Sequence, residues 1–309
     1  MPKGISIHIG LNELDERHYG SRCTLAGCLG DVDAMHRLAV SAGFEPTVLR
    51  AEEATADAVL GAIRGAAHRV GPEDILLVTY SGHGARVRDL PLDQGGDEVD
   101  GWDETWCLYD REVLDDELYD CWGDFPAGAR ILVVSDSCFS GDIIRDDEGQ
   151  DALPRITEGR SLWGTEALDE TRRLLPELPP VPPASRGTRG GGMRGGGMAG
   201  RRLSAKTAKR VYMRNRRTYE EVQKSLPERR PVHAEVLLLS AAQDNETAAD
   251  GEHNGAFTEA LLQVWNDGAF EGDYVALHCE LYKRLRTRQH PQILALRPPS
   301  FARQRPFTI

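Results

Sequence analysis

The chain has 309 residues, 40% of them hydrophobic, and a formal net charge of −12. That length carries one large domain or two smaller ones with a sizeable core, and its apolar runs, such as residues 75–78, 131–134 and 236–239, are strand length and exclude a bilayer-crossing helix. Six cysteines without close metal-ligand spacing exclude a disulfide-stapled scaffold and indicate free thiols. The first ten residues alternate apolar with polar and lack the unbroken apolar stretch of an export signal, so the expected compartment is the cytoplasm. Acids concentrate over residues 89–120, and arginines over 155–217. A basic insert in an acidic body could bind nucleic acid or the body itself.

In chain order, the alternation over residues 5–9 predicts a strand, and Val32, Met35, Leu38 and Ala39 predict a helix over 30–42. The pair repeats as a strand at 45–49 and a helix at 55–68 with Thr55 as N-cap, followed by a continuous apolar strand at 74–80. A short helix is expected at 115–121 and a buried strand at 130–135. Between Pro154 and Pro231 the pattern fails. Pro176, Pro179, Pro180, Pro182 and Pro183 precede a Gly/Arg low-complexity stretch, and residues 186–202 are expected to be disordered. A buried strand at 235–240 and helices at 255–265 and 274–286 complete the reading. Strands alternating with helices imply an α/β fold with a mostly parallel sheet covered on both faces. The chain divides into a catalytic part at 1–150, a Pro/Gly/Arg-rich insert at 151–230, and a part at 231–309 that completes the same domain.

Ligands of parallel sheets collect at the carboxyl ends of strands. Residues 74–80 run into Ser81-Gly82-His83-Gly84, and 130–135 run into Asp136-Ser137-Cys138-Phe139-Ser140-Gly141. Glycines there permit tight turns and close approach of backbone amides to a substrate carbonyl. An imidazole beside a thiol can take its proton and later protonate a leaving amine. A lone histidine or cysteine at a strand end is usually incidental; both motifs in this order favour catalysis, and Cys23, Cys107, Cys121 and Cys279 are read as packing residues.

The two motifs resemble the catalytic signature of caspases, paracaspases and metacaspases, with His83 lying 55 residues before Cys138 (138 − 83) against about 50 in caspases. The segment from Leu239 to Asp250, LSAAQDNETAAD, and that from Asn254 to Leu262, NGAFTEALL, resemble the small-subunit segment of metacaspases. The resemblance, to the bacterial type without a prodomain, covers most of the chain except the insert. It implies a three-layer sandwich around a mostly parallel six-stranded sheet, and a cysteine endopeptidase with Cys138 as nucleophile, His83 as base, and the amides of Gly84 and Cys138 as oxyanion donors. It also implies that Cys28, Asp31, Ser81 and Asp136 line a pocket for arginine or lysine, where carboxylates would make directional bonds to a guanidinium. For Asp31 alone, a helix cap or first-turn charge fits equally. Two positions depart from the metacaspase pattern, Phe139 for the usual histidine and Gly30 for the usual asparagine.

The acidic stretch includes Asp97, Glu98, Asp100, Asp103, Glu104, Asp115 and Asp116. Calcium takes six to eight oxygen ligands, and the family resemblance implies a Ca²⁺ site from Asp115 and Asp116 with Asp97 or Asp100; a solvated acidic loop is the alternative. The expected partners are protein or peptide substrates with Arg or Lys at P1 (the residue before the cut) and the chain's own insert, cut at Arg186, Arg189, Arg194, Arg201 or Arg202. A passive tether is the other reading of the insert. No membrane partner is expected, and by analogy the protein is a monomer. The competing functions are RNA binding through the Arg/Gly-rich insert, whose core lacks interleaved aromatics, and an inactive caspase-like scaffold.

Overall fold

The computed structural model describes residues 1–88, 102–137, 200–226, 231–242, 246–296 and 300–309, with scattered positions between 171 and 179. In chain order its elements are β1 (Gly4–Gly10), α1 (Glu16–Tyr19), α2 (Cys28–Ser41), β2 (Glu45–Arg50), α3 (Ala56–Ala67), β3 (Ile75–Ser81), β4 (Gly84–Arg88), β5 (Trp102–Cys107), β6 (Glu112–Leu114), α4 (Asp115–Trp122), β7 (Arg130–Asp136), α5 (Ala205–Ser225), β8 (Glu235–Ser240), α6 (Ala256–Trp265), α7 (Tyr274–Leu285) and β9 (Gln292–Leu296).

A six-stranded sheet runs in the order β2-β1-β3-β7-β8-β9. The pairs from β2 to β8 are parallel and β9 is antiparallel to β8. The central strands read as continuous apolar runs because both faces are covered. Ile5, Ile7, Leu76, Val78, Ile131 and Val133 pack in one layer with Val59 and Ile63 of α3 and Leu118 of α4. Their neighbours in sequence, Leu77, Leu132 and Leu237, pack in the other with Met35 and Leu38 of α2, Phe257 of α6 and Leu277 of α7. The helix starts follow local chemistry. Thr55 caps α3 by accepting from the Ala58 amide at 3.2 Å, and Asp273 caps α7 by accepting from Ala276 at 2.8 Å.

A second, three-stranded sheet of β4, β5 and β6 leaves the carboxyl end of β3. No strand is expected there from the sequence, since charged residues dominate it. Three of those charges are used inside the structure: Arg86 pairs with Glu104 at 2.9 Å, and Asp103 accepts from Gln223 at 2.6 Å.

The principal correction concerns the insert. Residues 205–225, read as patternless, form the helix α5, with Ser204 accepting from the Thr207 amide at 3.1 Å as its cap. Its inward stripe is Ala208, Val211, Tyr212, Asn215, Tyr219 and Val222, at helical spacing but submerged among seven lysines and arginines, and of these only Val211 and Tyr219 are buried. Asn215 Nδ2 donates to the carbonyls of His18 at 3.2 Å and Val211 at 3.0 Å, and His18 Nε2 meets the Tyr219 hydroxyl at 2.7 Å. The expected disorder over 186–202 is also corrected at its end, where residues 200–202 are ordered.

Tyr219 also lies against Glu112, a fully buried carboxyl raised to about 7 by desolvation, with the Tyr219 contact opposing. Its folded value is above its unfolded one, so its contribution is complete below pH 4.5 and is lost as pH rises towards 7. The shift corresponds to about 3 kcal/mol. Denaturant titrations should therefore show Glu112→Gln gaining on the wild type by roughly that amount between pH 4 and pH 8; parallel pH profiles for the two proteins would contradict it.

Candidate active site

Ser81 of β3 stands directly opposite Asp136 of β7 in the sheet register, so both motifs leave the sheet at one level. His83 and Cys138 each follow two residues later in sequence. Cys138, with Phe139, lies outside the described residues; His83 is described and buried. Its backbone is fixed by the carbonyl, which accepts from the Tyr80 hydroxyl at 2.7 Å and from the Cys107 amide at 2.9 Å. Its ring Nε2 contacts the carbonyl oxygen of Cys23 at 2.7 Å. An acceptor there requires the proton on Nε2, which leaves Nδ1 as the basic lone pair. Nδ1 is buried with no hydrogen-bond partner among the described residues. Burial pushes the imidazole down to about 4; the Cys23 carbonyl opposes this, Arg201 adds to it and Asp250 opposes it. The ring is thus neutral near pH 7, and its Nδ1 lone pair carries no proton.

Cys23 serves through its carbonyl, presented from a left-handed backbone at φ +47°. A backbone acceptor leaves no mark on residue type, so the sequence could not reveal it.

The pocket residues converge, and they converge on an arginine of the chain itself. Arg201 has a completely buried side chain, at 0% exposure. Its Nη2 lies 2.7 Å from Asp31 Oδ2 and 3.0 Å from Asp250 Oδ1, and its Nη1 lies 3.1 Å from Asp136 Oδ2. Nη1 also donates to Ser81 Oγ at 2.8 Å and to the Asp136 carbonyl at 3.1 Å, and Nε donates to Asp250 at 3.2 Å. Cys28 completes the wall; burial pushes its thiol up to about 12, so it contributes shape rather than charge.

Three carboxylates around one guanidinium repel one another, and each is held by further donors. Asp31 accepts from Ser81 Oγ at 2.7 Å, Asn254 Nδ2 at 2.9 Å and the Gly255 amide at 2.9 Å. The N-cap of α2 is Gly27, so Asp31 is not the cap; it is an acid of the first turn whose carboxylate meets Arg201. Asp136 Oδ2 accepts from the amide and hydroxyl of Thr258 at 3.0 and 2.8 Å. Asp250 accepts from the amides of Ala26 and Gly27 at 2.6 and 3.0 Å. The sequence reading missed Asp250, Asn254 and Thr258, although all three belong to segments singled out for family likeness. Gly255 is required for space: a Cβ there would lie 2.6 Å from Arg201 Cζ and 2.5 Å from Asp136 Oδ2. At Gly30 a Cβ would strike the carbonyl oxygen of His253, which accounts for a residue that departs from the family pattern.

The backbone around Arg201 is held by isolated bridges on both sides, at Gly200 and Arg202. Its amide donates to the Ala248 carbonyl at 3.0 Å, its carbonyl accepts from the Gly84 amide at 3.1 Å, and the Leu203 amide donates to the Gly84 carbonyl at 3.2 Å. The Arg201 carbonyl thus sits on the Gly84 amide expected to serve as an oxyanion donor. Of the other expected cut sites, Arg202 follows at intermediate exposure, while Arg186, Arg189 and Arg194 lie outside the described residues. So do Asp97 and Asp100. Asp115 and Asp116 open α4, and among the described residues no group of three or more His, Cys, Asp or Glu forms a metal cluster.

A strand-end histidine beside an acidic, guanidinium-filled pocket defines a peptidase-type cleft, and comparison with known proteins agrees. The caspase domain family model matches residues 7–301, and the chain belongs to the caspase family of cysteine peptidases as a metacaspase-like member. It is similar to metacaspase-1 of Schizosaccharomyces pombe, 30% identical over 274 residues that cover 84% of this chain and 58% of that protein. The chain therefore spans little more than half of that relative. Among solved structures, protein GSU0716 from Geobacter sulfurreducens is 34% identical with a TM-score of 0.76, covering 100% of this chain and 99% of that one. Caspase-1 from Spodoptera frugiperda, 15% identical with a TM-score of 0.53 over 94% and 86% of the two chains, shares the fold.

The Asp136 carboxyl is raised by burial, lowered by Arg201, raised again by Asp31 and lowered by its two bonds from Thr258. Only the ionised form holds a guanidinium well. A pocket emptied of Arg201 loses the charge that lowers this carboxyl, so the acid limb of kcat/KM on an arginine peptide is then expected above the ordinary carboxylate range. Thr258→Val removes a donor to the ionised form and should move that limb to higher pH. An unmoved limb in pH–rate profiles would argue against Asp136 as the controlling group.

Proposed function

We propose that this protein is an endopeptidase that cleaves after arginine or lysine and processes itself at the Arg201–Arg202 bond. The observation that carries the reading is Arg201 itself: its guanidinium fills a three-carboxylate pocket while its carbonyl faces the Gly84 amide. Arginine suits this pocket because five N–H donors in a fixed plane can address several acceptors at once. Lysine fits the same charge with fewer donors. Aspartate would add a fourth carboxylate.

In the proposed reaction the Cys138 thiol gives its proton to His83 Nδ1, and the thiolate attacks the Arg201 carbonyl carbon. The oxyanion that forms is stabilised by the Gly84 amide, with the Cys138 amide as the second expected donor. Collapse breaks the C–N bond to Arg202, whose nitrogen takes the proton from His83. Water then hydrolyses the acyl-enzyme with His83 as base, leaving a carboxylate on Arg201 and a free amine on Arg202.

Calcium stimulation belongs to the same proposal. Its support is the run of acids from Asp97 to Asp116 and a buried Asp115 at the start of α4. The described residues by themselves do not make a calcium site, and no step above passes through the ion. Activity that is equal with millimolar calcium and with excess chelator would remove it from the account.

Intact mass and terminal mapping test the main reading. Wild type incubated with calcium should yield a new N-terminus at Arg202, and Cys138→Ala and His83→Ala should remain whole. Cleavage of a peptide with aspartate at P1 at a rate comparable to arginine would sink the specificity; equal cutting of wild type and Cys138→Ala would assign the cut to another protease.

A further inference from the structure

The residue before Arg201 is Gly200, and the cleft leaves room for nothing larger. Gly200 pairs with Ala249 as an antiparallel bridge, in register with the bond from the Arg201 amide to Ala248. A Cβ built on Gly200 would overlap the Cγ2 methyl of Thr247, while lying 3.6 Å from Thr247 Cβ and 4.0 Å from its Oγ1. Gly200 is not among the glycines of positive φ. Its requirement is therefore for space and not for backbone conformation.

Thr247 is exposed, and two features limit how it can yield. Its β-branched side chain fills two of the three staggered positions on Cβ, so only the rotamer that turns hydrogen towards Gly200 clears the overlap. Its backbone is held from behind on both sides. Glu246 accepts from the His290 amide at 2.8 Å and pairs with the His290 ring, and the Ala249 amide donates to Gln289 Oε1 at 3.0 Å. Gln289 is itself fully buried and anchored to the Ala241 carbonyl at 2.9 Å.

We infer that Thr247 makes this enzyme selective for glycine at P2, so that its substrate class is Gly-Arg or Gly-Lys peptides rather than basic residues at large. The inference rests on the proposed cleavage after Arg201. It also ranks the arginines of the insert. Of the 37 lysines and arginines in the chain, glycine precedes only Arg160 and Arg201; Arg186, Arg189, Arg194 and Arg202 follow Ser185, Thr188, Met193 and Arg201. Cysteine-peptidase activity with a Gly-Arg requirement would cut the low-complexity stretch at its end and leave its other arginines intact.

The test compares quenched peptides of sequence Met-Ala-Gly-Arg-Arg-Leu, matching residues 198–203, with counterparts carrying alanine or leucine in place of glycine, in calcium buffer. A peptide of residues 158–163, Glu-Gly-Arg-Ser-Leu-Trp, serves as an independent Gly-Arg sequence. The full-length wild type should favour both Gly-Arg peptides over the alanine counterpart by about tenfold or more in kcat/KM. Thr247→Ala removes the overlapping methyl and should bring the glycine-to-alanine ratio to within about threefold, whereas Thr247→Val, which keeps a methyl there, should retain the preference. In the intact chain, Gly200→Ala should block self-cleavage and Thr247→Ala should restore it, a rescue that general damage to the fold would not give. A wild type indifferent to glycine, or a Thr247→Ala ratio like that of the wild type, overturns the inference while leaving cleavage after arginine in place. Failure to cut any of these peptides overturns both.

Discussion

The site is organised around a cation without access to water. Removing a guanidinium from solvent is unfavourable by several kcal/mol unless its N–H groups and its charge are both answered. Around Arg201 they are answered by Asp31, Asp136, Asp250, Ser81 and the Asp136 carbonyl. Those acids come from three distant stretches of sequence: the first turn of α2, the end of β7, and the segment between β8 and α6. The arginine comes from a fourth. The contact therefore ties the insert to both halves of the domain, and the same carboxylates that hold it are too many for one charge. An emptied pocket would leave three buried acids with no cation, an arrangement that favours either protonation or capture of the next basic side chain.

The catalytic geometry follows from the sheet. Parallel pairing of β3 with β7 places Ser81 opposite Asp136, and the loops leaving these positions carry His83 and Cys138 in sequence. The second sheet then contributes through Gly84, which lies at the start of β4 and bonds to the Arg201 carbonyl and the Leu203 amide on either side of Arg202. Stacking of Tyr80 on Trp106, with ring centres 4.5 Å apart, joins the two sheets behind His83. Fold and cleft share these contacts, so the peptide bond is held by elements whose own placement is fixed in the core.

The features that were legible in the sequence are those written in periodicity or in side-chain type. β1 alternates apolar with polar residues, β3, β7 and β8 are continuous apolar runs, and Thr55 caps α3 as its hydroxyl allows. Asp31, Ser81 and Cys28 stand beside glycines and Asp136 just before the second motif, which marked them in the sequence, and all four gather around Arg201. The features that escaped were written in neither. α5 has only a few residues, among them Val211 and Tyr219, to mark its inward face among many charges. The Cys23 carbonyl that orients His83 belongs to the backbone. Asp250 and Thr258 act across 120 residues or more of sequence on Gly27 and Asp136, and Thr247 limits its neighbour by shape alone. Low complexity was also a poor guide to the end of the insert, since Gly200 and Arg201 are ordered by the cleft they enter and not by any pattern of their own.

The central claim is that Arg201 is seated in the pocket of the uncut chain, and arginine-selective labelling reads this directly. In Cys138→Ala, which stays intact, phenylglyoxal should modify Arg217, whose side chain is 91% exposed, long before Arg201, as followed by peptide mass mapping. Mild denaturation that opens the cleft should abolish the difference. Reaction of Arg201 at the rate of Arg217 in the folded protein would show that the guanidinium is in solvent, and would contradict the account.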